Sequence, residues 1–135
     1  MAQDIGFDSA AGPSVTLLGS NLTTGGLSAA TSAVDYGDPQ PLEIGYEIKL
    51  DCQASSTGFA FLKVAWSHDN TDFSDSDNIE TVATIQCSAS TVKVKCGSFA
   101  LRSRYAKFYL SNESGGTINS ASTALILTDI FVNQA

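Results

Sequence analysis

Positive charge is scarce in this chain: seven Lys and Arg stand against fourteen Asp and Glu, a formal net charge of −7 with a pI of about 4.3. A field of that sign repels phosphate backbones and anionic lipid, so neither nucleic acid nor a membrane is expected as a partner. Long apolar runs are missing too. Nothing approaches the ~20 apolar residues of a membrane helix, and the opening MAQDIGFDSAAGPS has neither the basic nor the apolar region of a secretory signal. Synthesis and folding in a cytoplasm are the expectation.

Chemistry-bearing residues are few. His68 is the single histidine, and no serine or cysteine has nucleophile-elbow surroundings, so a hydrolytic triad would hang on one residue beside a turn. The glycine pairs Gly25-Gly26 and Gly115-Gly116 lie in turns with no helical pattern after them, which removes a phosphate-binding loop. Carboxylates are plentiful, yet no spacing fixes two of them at a working separation. No catalytic residue and no cofactor is assigned, and the chain is expected not to be an enzyme. Cys52, Cys87 and Cys96 form neither an even set nor a CxxC pair, which argues against disulfides and zinc. Each falls in an alternating run, so reduced and mostly buried thiols are expected.

What the chain does have is alternation. Its 135 residues suit one domain burying roughly 65–70% of the unfolded surface. Residues 1–14 carry only Ile5 and Phe7 as large apolar groups, too little to order an arm, so a flexible N-terminal arm is expected ahead of a single domain at 15–135. Ile5 and Phe7 would be its anchors on a neighbouring chain. After a short strand at Val15 to Leu18, the small-residue tract GSNLTTGGLSAATSA has no helical stripe and reads as loop or edge strand. Pro39 and Pro41 mark a turn.

From Leu42 to Cys52 the period of two is nearly unbroken, with Leu42, Ile44, Tyr46, Ile48, Leu50 and Cys52 on one face. In FAFLKVAWS (59–67), Ala60, Leu62, Val64 and Trp66 share a face, and Trp66 is expected to point inward. Ile79–Cys87 and Thr91–Cys96 read as a hairpin across SAS. The run Arg104–Asn112 alternates again, and from Ala124 to Val132 both parities are apolar except Thr128 and Asp129, as in a strand covered on two faces. Seven or eight short strands and no helix predict an all-β antiparallel sandwich, most simply a jelly roll.

The loop SHDNTDFSDSDNIE gathers Asp69, Asp72, Asp75, Asp77 and Glu80. Glu80 is twelfth from Asp69, as in an EF-hand, but Phe73 falls at a ligand position, Ser74 replaces the required glycine and the flanks are strands. A solvated turn with Asp and Asn bonded to local backbone is expected instead, and no metal site is assigned. More informative is the outward side of the two strands around Lys63 and Lys107. If these pair, Phe59, Phe61, Tyr105 and Tyr109 gather there with both lysines. So large an aromatic patch calls for cover, by another layer of the domain or by a partner. Both covers stay open on the residues alone; with a partner as the cover, Phe61, Lys63, Tyr105, Lys107 and Tyr109 would be the contact face, and a homo-oligomer, most simply a trimer, the assembly.

The order of features resembles a group of small structural proteins of tailed bacteriophages. The likeness runs from about Ser14 onward and is carried by SAVDYGD (32–38), WSHDNTDF (66–73) and RYAKFYLSNESGG (104–116), followed by an apolar C-terminal strand. What it implies is a head decoration or cement protein, a small jelly roll that binds the major capsid protein on the outside of the head lattice. Its place would then be the virion surface. The same phrases resemble galactose-binding-like jelly rolls, in which a Ser-x-Asp-Gly turn precedes a later Arg-Tyr strand; here Asn70 takes the place of that glycine. A tail or fibre component and a carbohydrate-binding module are therefore the alternatives.

Overall fold

The computed structural model describes residues 3–7, 14–37 and 40–134, with side chains at 14–37 and 40–131. Nine strands follow in order: β1 Gln3–Phe7, β2 Ser14–Val15, β3 Val34–Asp35, β4 Glu43–Cys52, β5 Phe59–Ser67, β6 Glu80–Gln86, β7 Thr91–Ala100, β8 Tyr105–Glu113 and β9 Ile118–Gln134. They form two antiparallel sheets, β1-β9-β4-β7 with β2 also on β9, and β3-β8-β5-β6. The chain changes sheet between β2 and β3, β3 and β4, β4 and β5, β6 and β7, β7 and β8, and β8 and β9, which is the strand order of a jelly roll. The expected all-β sandwich is the fold of this chain.

The alternation explains why. Ile44, Tyr46, Ile48, Leu50 and Cys52 of β4 are buried together with Ala60, Leu62 and Val64 of β5, Ala106, Phe108 and Leu110 of β8, and Leu125 and Leu127 of β9. Each row is one side of a strand facing the opposite sheet, and together they make one contiguous core. Leu42 alone of the β4 row stays exposed, because it precedes the strand. At one end four rings cross the interface: Phe99 of β7 has centroids at 6.2 Å from both Tyr46 and Trp66 and at 6.1 Å from Phe108. Trp66 thus points inward, half-buried, with its indole N–H donating to Glu80 at 3.3 Å. Gly97 is needed here, since a Cβ on it would come within 2.6 Å of the Tyr46 hydroxyl.

Three placements differ from expectation. Ile79–Cys87 and Thr91–Cys96 are not a hairpin: β6 pairs with β5, β7 pairs with β4, and the turn between them carries the chain from one sheet to the other. β7 is therefore an edge strand, with Val92 and Val94 about half exposed. Lys93 and Lys95 lie opposite Leu50 and Ile48 on the core-facing side of that edge, and Lys95 bonds the Thr84 carbonyl of β6 at 2.7 Å. Charge pointing inward at an edge is a common guard against strand addition. Cys52 and Cys87 are buried, but Cys96 is exposed, because it sits opposite Glu47 on the outer row of the sheet. Finally, where a free arm is expected, Gln3–Phe7 pair with 130–134 of β9 in the same chain, while residues 8–13 lie outside the described residues.

The small-residue tract closes one side of the sandwich. Ser28 and Thr31 donate backbone N–H bonds to Leu110 and Phe108 carbonyls, and their hydroxyls accept the Leu110 and Phe108 amides in return. Side-chain oxygens thus stand in for strand carbonyls along the β8 edge. On the other side, Leu22 bridges Ile118 of β9.

A candidate protein-contact face

β5 and β8 are neighbours, and their register sets Phe61 opposite Ser111, Lys63 opposite Tyr109, Ala65 opposite Lys107 and Ser67 opposite Tyr105. These residues belong to the parity that faces away from the core. Five of the expected contact residues, Phe61, Lys63, Tyr105, Lys107 and Tyr109, are therefore on one surface, all half-buried, with Phe59 45% exposed at its end. Ile5 and Phe7 are elsewhere, on the edge of the other sheet.

Part of this surface is covered from within. Ala65 and Ser67 have outward parity yet are buried, because the acidic loop folds back beside them: the Ser74 amide donates to the Trp66 carbonyl at 3.0 Å, and the Ser74 hydroxyl accepts the Trp66 amide at 3.2 Å. Phe73 then lies on the face, with the Lys107 ammonium 4.3 Å from its ring centre. Arg104 stacks 5.0 Å above Tyr105 and forms a two-point pair with Asp35 at 2.9 and 3.1 Å. That pair, with a Gly37 amide bond, holds the Asp35 carboxyl below its usual range. Phe73 and Arg104 extend the face beyond the residues expected. Phe73 has no strand periodicity that would reveal it, whereas Arg104 directly precedes Tyr105.

The loop itself is a closed set of local bonds. Asp69 accepts the Ser67 hydroxyl and the Thr71 and Asp72 amides, each at 2.9 Å. The two amides and the hydroxyl lower its carboxyl to about 2. Asp75 accepts the Asn78 side-chain amide at 2.7 Å. Asn70 takes the left-handed conformation, φ 61°, where the galactose-binding-like pattern has glycine. Among the described residues no cluster of three His, Cys, Asp or Glu is placed to hold a metal ion.

His68 does meet a hydroxyl. Its Nδ1 is 3.0 Å from Ser103 Oγ, but that hydroxyl donates to the Ser67 carbonyl at 2.9 Å, which leaves the ring nitrogen to act as the donor. A serine bonded that way is not held as a nucleophile. A concavity of about 700 Å³ lies between residues 14–22 and 27–34. Ser, Thr and Ala dominate its lining, with neither a charge nor an aromatic ring to grip a polar ligand or stack on a sugar.

No protein-family model matches the chain, and no curated protein matches it.

Proposed function

We propose that this chain is a structural protein of a tailed-phage virion, a decoration or cement protein that binds other protein chains on the outside of the head and stabilises the shell. The observation that carries the reading is the β5–β8 register, which lines up Phe61, Lys63, Lys107 and Tyr109 as a half-covered aromatic and basic surface. Its aromatic residues are of the kind enriched at interface centres. The likeness of layout to small phage head proteins supplies the kind of partner. Its mechanism is mass action: a domain that binds only the assembled shell lowers the free energy of that shell relative to open or burst states. Many copies multiply a modest contact over the lattice.

Co-sedimentation of the purified chain with heads of the virus that encodes it tests this. Binding, and earlier heat-bursting of heads that lack the protein, are expected. Absence of binding together with selective retention on a glycan array would favour the carbohydrate-binding alternative.

A further inference from the structure

The cysteines have no paired spacing in the sequence, yet the fold sorts them into a single exposed thiol, Cys96, and a buried pair. Cys52 ends β4 and continues its inward row of Ile44, Ile48 and Leu50, while Cys87 directly follows β6 and continues its inward row of Ala83 and Ile85. β4 and β6 belong to opposite sheets, so the two side chains enter one core from facing sides. The crossing turn fixes where they meet. Cys52 is the register partner of Thr91, the first residue of β7, and the Ser90 amide donates to the Gln53 carbonyl at 3.1 Å. At the other end of the turn the Cys87 amide donates to the Gly58 carbonyl at 2.8 Å. Within this frame the Cys52 thiol donates to the Leu50 carbonyl at 3.7 Å, which leaves its sulfur to accept the Cys87 thiol.

Two sulfurs in hydrogen-bond contact need only a short approach to reach the roughly 2 Å of a disulfide, whereas cysteines that point apart need backbone movement. We propose that Cys52 and Cys87 are a redox pair that closes into an inter-sheet disulfide when the chain meets an oxidising medium. With a low-molecular-weight disulfide as the oxidant, one cysteine thiolate attacks a sulfur of that disulfide and releases one small thiol. The second cysteine then displaces the other. One S–S bond breaks and one forms, and the two electrons and two protons of the cysteines end on two small thiols. The thiolate is the attacking form, and the core disfavours it, so exchange proceeds while the turn at 87–90 is open or as the chain folds. In a reducing compartment the pair stays as thiols. Once closed, the bridge ties the end of β4 to the end of β6 at the point where the chain crosses between sheets. The inference does not depend on how the β5–β8 face is read.

Refolding the full-length Cys96→Ser chain from urea, in a neutral buffer of reduced and oxidised glutathione, tests it. Cys96→Ser removes the exposed thiol that would otherwise link chains. Peptide mapping without reductant should recover the Cys52 and Cys87 peptides joined, in a monomeric chain whose mass is lower by two hydrogens. Its thermal midpoint should lie roughly 10 °C above that of the same sample after dithiothreitol, since the bridge closes a loop of more than thirty residues in the unfolded chain. Adding Cys87→Ala should leave no joined peptide. Two thiols that stay free, thiols capped singly by glutathione, or a joined chain that melts at or below the reduced one would overturn the proposal.

Discussion

The Lys107 ammonium stands 4.3 Å from the centre of the Phe73 ring, and this contact fastens the acidic loop to the sheet it leaves. Ala65, the cross-strand partner of Lys107, is fully buried although it faces away from the core. Phe73→Ala should therefore remove a cation–π contact worth about 0.5–1 kcal/mol at an exposed site, and expose apolar surface besides. We expect a urea midpoint lowered by the equivalent of about 1–2 kcal/mol. Phe73→Leu, which keeps cover but not the ring, should recover part of it. An unchanged midpoint in Phe73→Ala would show that the loop is not held by this ring.

Asn112 is fully buried and spends both ends of its amide. Its nitrogen donates to the Leu22 carbonyl at 2.9 Å and the Gly116 carbonyl at 2.8 Å, and its oxygen accepts the Ser114 amide and hydroxyl. One side chain thus joins the small-residue tract, β8 and the turn before β9. Asn112→Ala strands those partners, and each buried polar group left unpaired costs about 1–3 kcal/mol. A loss of about 2–4 kcal/mol in guanidinium denaturation is expected, with Asn112→Asp also destabilised because a carboxylate cannot donate to two carbonyls.

The three thiols should separate by position. Cys96 is exposed on the outer row of its sheet, with its sulfur 4.0 Å from Glu47. Cys52 and Cys87 are buried, and desolvation, reinforced by a bond to Cys52, pushes the Cys87 thiol up to about 12. Since the thiolate is the reactive form, a thiol reagent at neutral pH should titrate a single cysteine rapidly in the native chain and the other two only after unfolding. Cys96→Ser should abolish the fast phase. Rapid reaction of all three would contradict the burial of Cys52 and Cys87.

How much of this was legible in the sequence depends on how local the signal is. The β4 row is carried by five buried residues at a spacing of two, so it reads directly. Pairing of β5 with β8 is a contact between segments about forty residues apart, and the sequence supports it only as a condition; the register then brings Lys63 and Tyr109 together. The β6–β7 turn misleads because Ser88, Ala89 and Ser90 suit a hairpin and an inter-sheet crossing equally. Cys96 follows from the same ambiguity: at an edge, Lys93 and Lys95 can take the core-facing parity and extend past it, which turns Val92, Val94 and Cys96 outward. Least visible is the β8 edge, where the hydroxyls of Ser28 and Thr31 replace backbone acceptors, a role that no periodicity marks.

Acid should reach the loop later than an ordinary aspartate predicts. The Asp72 and Thr71 amides and the Ser67 hydroxyl bond the ionised form of Asp69 and hold its carboxyl down at about 2, below the ordinary 3.8. A folded-state pKa below the unfolded one means that the stabilisation is complete above about pH 4 and is lost as pH falls towards 2. Carboxyl chemical shifts followed by NMR should place the Asp69 midpoint near 2. Asp69→Asn keeps the size and one acceptor oxygen but removes the charge, so it should weaken the loop at neutral pH and flatten stability between pH 4 and 2 relative to wild type. The carboxylate is fully exposed and the bonds are local, so the effect should be seen first in amide exchange at Thr71 and Asp72. An Asp69 midpoint near 4, or equal exchange in the variant, would mean that the turn is not organised by this carboxylate.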